Sequence, residues 1–311
     1  MTPERIGIVG FGLIGQRWAL AFAAAGHEVR AYDPDTGQWD RFAAARPALE
    51  ADIRALRGTG GSDTTPAGEI HFSTDLASAL DGVEFVQESG PEQLDLKRGL
   101  LAEVEGHVGD AVIIASSSSA LLPSQMQTGC RLPGRIVLGH PFNPAHLMPL
   151  VEVVGGAQTS PQAIARAIAL YQAIGKRPVR LNREVTGHIA LRLMAAMWRE
   201  AFALLQDGVA SAADIDRAFI YGPGVKWTLQ GSFIANHLGA DGIEDFLEKF
   251  GPTYQAIWND LGDARLDPDS KAAVAASTRA ALEGREDAEL RQRRDAGLIE
   301  ILQVVARHGA L

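Results

Sequence analysis

A histidine and a glutamate lie twelve residues apart in the segment GHPFNPAHLMPLVEV, residues 139–153. His140 ends one hydrophobic run, and Glu152 lies inside a second run that is rich in β-branched residues. A histidine that takes a proton from a substrate hydroxyl needs a fixed tautomer. A carboxylate bound to its other ring nitrogen supplies that tautomer and stabilises the imidazolium that forms. The pattern predicts a general base and its orienting carboxylate on two adjacent strands joined by a short proline-containing loop.

A second chemical motif begins at the end of the first hydrophobic run. Gly10 allows a tight turn, Gly12 lets the backbone approach a pyrophosphate, and Gly15 lets the following helix pack closely on the strand. The predicted cofactor loop comprises Gly10, Phe11, Gly12, Leu13, Ile14 and Gly15. Asp33 ends the next strand, where a carboxylate accepts hydrogen bonds from an adenosine ribose and repels a 2′-phosphate. The motif therefore favours NAD over NADP, and a nicotinamide cofactor indicates hydride transfer.

The elements that must position these residues alternate along the first part of the chain. Strand-like runs are predicted at 5–9, 28–32, 70–73, 83–88, 111–115, 136–140, 150–154 and 178–181. Amphipathic helical patterns between most of them, such as 13–25, 93–104 and 161–174, indicate a mostly parallel sheet with helices on both faces. The glycine- and threonine-rich stretch 58–68 is predicted to be a surface loop. The fold class expected for this part is an α/β Rossmann-type doubly wound sheet.

Strand signals fade after about residue 183. Apolar residues recur at helical spacing through 187–208, and Ser211 is predicted to cap a helix over 212–221. We expect two domains: residues 1–184, which bind NAD, and residues 185–311, an all-α domain for substrate binding and dimerisation.

Bulk properties narrow the possible partners. A net charge of −9 argues against nucleic acid and against an anionic membrane surface. The single cysteine, Cys130, cannot form an intrachain disulfide, and the N-terminus lacks the apolar core of a signal peptide. We expect a cytoplasmic protein without a membrane span and without a metal site.

Several further segments carry a family resemblance. They are GFGLIG at 10–15, QESGPEQLDLK at 87–97, SSSSALLPS at 116–124, HPFNP at 140–144, PLVEV at 149–153, DIDRA at 214–218 and GPG at 222–224. With these motifs the chain resembles the 3-hydroxyacyl-CoA dehydrogenase superfamily. Within it, the chain is most similar to the short branch that contains L-gulonate 3-dehydrogenase (the λ-crystallin relatives) and L-carnitine 3-dehydrogenase.

The resemblance implies roles for individual residues. His140 would be the general base, Glu152 its orienting partner, and Ser119 the serine that hydrogen-bonds the reacting oxygen, with Ser118 as the nearest competitor. Asn143 would contact the nicotinamide side. Glu92 and Lys97 match a family pair near the cofactor, although their spacing alone is more typical of a solvated helix face.

One position departs from the family pattern. Relatives carry Gly-Phe-Ile-x-Asn-Arg-Leu at the start of the long helix, whereas this chain has GHIALRL at 187–193, which places Leu191 where the Asn completes the substrate site. Leucine has no donor or acceptor, so transition-state stabilisation could be lost. His188, one helical turn earlier, or Asn236 could replace the missing group.

The substrate is expected to be a small L-3-hydroxy acid of the L-gulonate or L-carnitine type, oxidised at its 3-hydroxyl to a 3-keto acid. Trp198 and Trp227 could supply aromatic rings for a trimethylammonium group. One alternative is a 3-hydroxyacyl-CoA substrate such as 3-hydroxybutyryl-CoA, although no lysine precedes Lys97 to meet a CoA tail. An alternative of another class is an NAD-binding structural or sensory protein whose catalysis Leu191 has weakened. The resemblance also implies a homodimer formed through the helical domain.

Overall fold

A computed structural model describes residues 2–58 and 67–308, so most of the predicted loop at 58–68 lies outside the described residues. Within the described part, the strands are β1 (Arg5–Val9), β2 (Glu28–Tyr32), β3 (Ile70–Ser73), β4 (Phe85–Glu88), β5 (Ile113–Ser116), β6 (Ile136–Pro141), β7 (Leu150–Gly155) and β8 (Arg177–Arg180). Each corresponds to one predicted hydrophobic run. The prediction of an α/β domain followed by helices is confirmed.

The strands form one sheet in the order β3-β2-β1-β4-β5-β6-β7-β8. All neighbours are parallel except β6 and β7, which are antiparallel and place His140 directly opposite Glu152. The strand order reverses between β1 and β4, which creates the crevice at the carboxyl edge where ligands of such sheets bind.

Helices cover both faces of the sheet. One face carries α1 (Leu13–Ala24), α2 (Gly37–Arg57) and α6 (Pro161–Ala173), which bury Trp18, Phe42 and Leu170 in one core cluster. The other face carries α3 (Leu76–Leu80), α4 (Leu94–His107) and α5 (Pro123–Met126), which bury Leu101 and Met126 in a second cluster. The sheet is therefore buried on both sides, as a parallel sheet requires.

The later helices are α7 (Ala190–Gln206), α8 (Ala212–Phe219), α9 (Val225–His237), α10 (Ile243–Asp260), α11 (Pro268–Leu282) and α12 (Asp287–His308), with a π-helical turn at Ile220–Gly224 between α8 and α9. Ser211 caps α8 by accepting a hydrogen bond from the Asp214 N–H. The chain divides into two compact units, Met1–Arg192 and Leu193–Leu311. The predicted domain boundary at residue 184 stays a prediction. Among the described residues, no helix is both long and apolar enough to cross a membrane.

The predicted start of the long helix at residue 187 is wrong. Gly187 and His188 have φ values of +75° and +51°, which lie outside the right-handed helical region, so α7 begins at Ala190. His188 therefore lies in the turn before the helix and not one helical turn before Leu191.

Candidate active site

The side chains of His140 and Glu152 meet across the β6–β7 pair. His140 Nδ1 lies 3.0 Å from Glu152 Oε2, and both residues are buried. A carboxylate at this distance makes Nδ1 the protonated nitrogen. The lone pair of the neutral ring is then on Nε2, which is the atom left to accept a proton from another molecule.

The second oxygen of Glu152 holds the start of α7. Oε1 accepts hydrogen bonds from the backbone N–H groups of Ile189 at 2.7 Å and Ala190 at 2.9 Å. Burial alone would raise the pKa of Glu152, but the hydrogen bonds from His140, Ala190 and Ile189 outweigh it and lower the pKa. Glu152 is therefore an anion that links the histidine to the helix N-terminus.

His188 packs against the same histidine. The two imidazole rings lie 5.1 Å apart between centroids, and the Nε2 atom of His188 lies 3.2 Å from the Ser118 carbonyl oxygen. Because a carbonyl only accepts, this nitrogen carries the proton, and the buried Nδ1 atom has no hydrogen-bond partner among the described residues. Burial and the nearby His140 lower the pKa of His188, so its ring is neutral near neutral pH.

A loop after β5 carries the serines at 116–119. Glu92 Oε1 accepts hydrogen bonds from the Ser118 hydroxyl at 2.5 Å and from the N–H groups of Ser119 and Ala120, each at 3.0 Å. The Ser118 hydroxyl also accepts the Leu121 N–H, so it is committed to the loop. The Ser119 hydroxyl makes no hydrogen bond within the described residues, which leaves it available to a ligand.

Lys97 lies inside the protein and not on a solvated helix face. Its ammonium donates to Glu88 Oε1 at 2.8 Å and to the Gly90 carbonyl at 3.0 Å, and it lies 3.8 Å from Glu92 Oε2. Glu88 is fully buried and also accepts the Ser116 hydroxyl at 2.6 Å. The alternative of a solvated helix face is therefore wrong for Lys97, whereas Glu92 precedes α4 and its side chain is 39% exposed. Sequence reasoning missed Glu88, whose only signal is a charged residue inside a hydrophobic strand.

The first βα turn has the shape that a dinucleotide pyrophosphate requires. Gly10 has φ of +91°, and a Cβ there would lie 2.7 Å from the backbone of Ser89 and Gly90. A Cβ on Gly15 would lie 2.0 Å from the Gly10 carbonyl oxygen, whereas one on Gly12 would meet open space. Gly12 is also the N-cap of α1, and the N–H groups of the first helical turn are the ones that a helix leaves free to bind an anion.

Asp33 is the acidic residue that is expected to bind the adenosine ribose. Its Oδ2 accepts the Phe11 N–H at 2.8 Å and its Oδ1 accepts the Asp35 N–H at 3.0 Å, so the carboxylate is fixed at the end of β2. The Phe11 ring is buried in an aromatic cluster, and Leu13 is exposed at the start of α1. Ile14 is partly buried against the core. These residues fit NAD.

The other four predicted residues differ in their exposure. Asn143 is exposed in the loop between β6 and β7, and Leu191 is half-buried in the first turn of α7. Trp198 is 60% exposed and packs against Phe202, and Trp227 is 45% exposed.

The fold and the turn at residues 10–15 define an NAD-binding dehydrogenase. The family model of the 3-hydroxyacyl-CoA dehydrogenase NAD-binding domain matches residues 5–185, and the model of the C-terminal domain matches residues 187–265. The chain belongs to the 3-hydroxyacyl-CoA dehydrogenase family. It is an NAD-dependent oxidoreductase that acts on a 3-hydroxy acid.

Relatives match along nearly the whole chain. L-Carnitine dehydrogenase of Bacillus cereus is 39% identical, over 98% of this chain and 93% of its own length. The enzyme of the same name from Streptomyces coelicolor is 39% identical, over 99% and 98%. Among solved structures, an NAD⁺-dependent dismutase, 5-formyl-3-hydroxy-2-methylpyridine 4-carboxylic acid 5-dehydrogenase, has a TM-score of 0.85 at 25% identity, covering 98% of this chain and 99% of its own. (S)-3-Hydroxybutyryl-CoA dehydrogenase PaaH1 from Ralstonia eutropha has a TM-score of 0.65 at 28% identity, covering 79% and 86%.

Proposed function

We propose that this protein oxidises the 3-hydroxyl group of L-carnitine to the 3-keto acid with NAD⁺. The observation that carries the substrate is the 39% identity with L-carnitine dehydrogenases over essentially full length. The contact between His140 and Glu152 supports the chemistry, because it leaves one ring nitrogen free to act as a base.

In the proposed reaction, His140 Nε2 takes the proton of the substrate hydroxyl. Glu152 stays ionised and stabilises the imidazolium that forms. The Ser119 hydroxyl donates to the reacting oxygen as its carbonyl forms. NAD⁺, when bound, accepts the hydride from C3. In the reverse direction His140 gives the proton back, so the same geometry serves reduction.

The cofactor would be held by the turn at residues 10–15 and by Asp33. We propose that Glu92 and Lys97 act on the cofactor through the loop at 116–120, which Glu92 binds by three hydrogen bonds. Asn143 follows His140 by three residues and is exposed, and it would face the nicotinamide.

L-Carnitine needs a site for a trimethylammonium group, which aromatic faces bind by cation–π attraction. Trp198 and Trp227 expose ring surface in the helical unit, and we propose that they contribute to this recognition. His188 and Leu191, which precede and begin α7, would border the reacting end of the substrate.

Three of the four arginines of α2 form local ion pairs, which argues against a CoA thioester. Arg41 pairs with Asp35, and Arg46 and Arg54 both pair with Glu50. These three guanidinium groups form ion pairs with carboxylates close to them in the chain, and they do not form a phosphate-binding site together.

We propose that the protein works as a homodimer through its helical unit. Within residues 193–308, the buried hydrophobic side chains are Phe202, Ala203, Phe246 and Ile299. Large apolar residues on the same unit remain exposed, including Tyr221 at 82% and Phe233 at 84%. Exposed apolar surface on this scale marks an interaction site. Sedimentation that shows a monomer at micromolar concentration would contradict this proposal.

The test of function follows NADH formation with L-carnitine, L-gulonate, L-3-hydroxybutyrate and 3-hydroxybutyryl-CoA. We expect kcat/KM to be highest with L-carnitine. His140→Gln should lose activity and keep NADH binding, while the exposed His107→Gln serves as the matched control and should keep both. Preference for the thioester would contradict the substrate assignment, and no turnover with any of the four would contradict the proposed reaction.

A further inference from the structure

A partly buried polar network at the carboxyl edge of the sheet has no part in the proposed proton and hydride transfer. At its centre the Ser117 hydroxyl accepts the Trp18 indole N–H at 3.2 Å and the Gln87 amide N–H at 2.8 Å. The Ser89 hydroxyl lies 2.9 Å from the same oxygen. Trp18 and Gln87 are fully buried.

The orientation of the Gln87 amide is fixed by its other partners. Its Nε2 atom lies 3.2 Å from the Gly139 carbonyl oxygen, and its Oε1 atom lies 2.6 Å from the Tyr171 hydroxyl. A carbonyl only accepts hydrogen bonds. If the amide were flipped, its oxygen would lie next to the Gly139 carbonyl oxygen, and no hydrogen bond could form between these two acceptors. Gln87 therefore donates one hydrogen to Gly139 and one to Ser117.

Counting donors and acceptors then determines where every hydroxyl hydrogen goes. The two lone pairs of Ser117 Oγ are both occupied, because the Trp18 indole can only donate and the Gln87 amide is fixed. Ser117 must give its own hydrogen to Ser89. The hydrogen of Ser89 is then the one in the network without an acceptor among the described residues.

Ser89 lies at the place where the sheet order reverses. It follows β4 directly, its N–H donates to the Val9 carbonyl at 2.7 Å, and its backbone packs against Gly10 of the phosphate-binding turn. The residue is half-buried and follows the carboxyl end of β4, one of the two strands that border the crevice.

We propose that the Ser89 hydroxyl, whose hydrogen finds no acceptor in the network of Trp18, Gln87 and Ser117, donates a hydrogen bond to an oxygen of bound NAD. The inference rests on NAD binding by this family and not on the identity of the substrate. A nucleotide at this crevice offers hydroxyl and phosphate oxygens, and both accept hydrogen bonds.

The experiment measures the dissociation constant for NADH by calorimetry on the full-length protein without substrate. Ser89→Ala should weaken NADH binding about three- to tenfold, the effect of one neutral hydrogen bond. Ser89→Thr, which keeps the hydroxyl, should bind within about twofold of wild type on the same scale. Ser160→Ala removes a serine hydroxyl that caps α6 and should lower the melting temperature without changing the NADH affinity.

Unchanged NADH affinity in Ser89→Ala would overturn the proposal. An equal loss of affinity in the Ala and Thr variants would also overturn it, because the hydroxyl would then not be the responsible group. Neither result would affect the proposed L-carnitine oxidation, which the turnover assay tests separately.

Discussion

His140 and Glu152 occupy directly opposed positions of the antiparallel β6–β7 pair, and their side chains are in contact at 3.0 Å. This is the one antiparallel pairing of the sheet, within the residues described. Opposed residues of such a pair have neighbouring side chains on the same face. The strand reversal therefore brings a histidine and a carboxylate together without help from a mobile loop.

Glu152→Gln tests the charge and the tautomer together. The oxygen of the new amide would accept from the Ile189 and Ala190 N–H groups, which turns its NH₂ toward His140 Nδ1. That nitrogen would become an acceptor, and the proton would move to Nε2, where a base needs its lone pair. We expect kcat/KM to fall about 100- to 10,000-fold with little change in NADH affinity. The exposed Asp95→Asn removes the same charge and should retain wild-type kinetics, and a Gln variant as active as this control would refute the orienting role.

Leu191→Asn tests whether the departure from the family pattern limits turnover. The side chain is half-buried in the first turn of α7. An amide there would restore a hydrogen-bonding group near the reacting end of the substrate. We expect kcat to rise about tenfold or more. This gain is smaller than the roughly 100- to 1,000-fold change in kcat that a typical oxyanion donor contributes. Leu193→Asn, two residues along the same helix and 69% exposed, is the control. No gain in turnover would mean that the site is complete without the Asn.

The positions of the strands along the chain and the cofactor turn could be predicted because each depends on local sequence. Runs of hydrophobic residues mark strands, and the spacing of Gly10, Gly12 and Gly15 marks the turn. The helix start at Ala190 could not be predicted, because it follows from positive φ at His188. That conformation accompanies a hydrogen bond to Ser118, seventy positions earlier in the chain.

The burial of Lys97 also could not be predicted from the spacing of residues along its helix. Its partner Glu88 lies on a strand and not on the same helix, so helical periodicity carries no signal for the pair. The hydrogen-bond network around Gln87 and Ser117 joins residues from three strands or strand ends and two helices. Such contacts depend on how the elements pack, which the sequence pattern does not state.

Gly139→Ala should disrupt that network at Tyr171. A Cβ at residue 139 would lie 1.9 Å from the Tyr171 hydroxyl oxygen and 2.8 Å from its ring. We expect the free energy of unfolding to fall by about 1–3 kcal/mol, as for other overpacked cores. Adding Tyr171→Phe removes the nearest atom and should recover part of the loss. Thermal and urea unfolding measure both variants, and additive losses in the double variant would contradict the predicted clash.

Lys176 provides a prediction for stability as a function of pH. Its buried ammonium donates to the Ala145 carbonyl at 2.5 Å and the Met148 carbonyl at 2.9 Å, and burial lowers its pKa to about 8. A lysine in the unfolded chain has a pKa of about 10.4. Between these values the unfolded chain binds a proton that the folded chain has released, so this group makes stability rise with pH.

Lys176→Met should remove that rise. From pH 7.5 to pH 10, the unfolding free energy of wild type should increase by about 2 kcal/mol relative to the Met variant. The variant should also be less stable at both pH values, because two buried carbonyls lose their donor. Lys271→Met changes an exposed lysine and should give a constant difference from wild type. Urea unfolding at a series of pH values measures each difference, and parallel curves for wild type and Lys176→Met would show that burial of the ammonium has no energetic consequence.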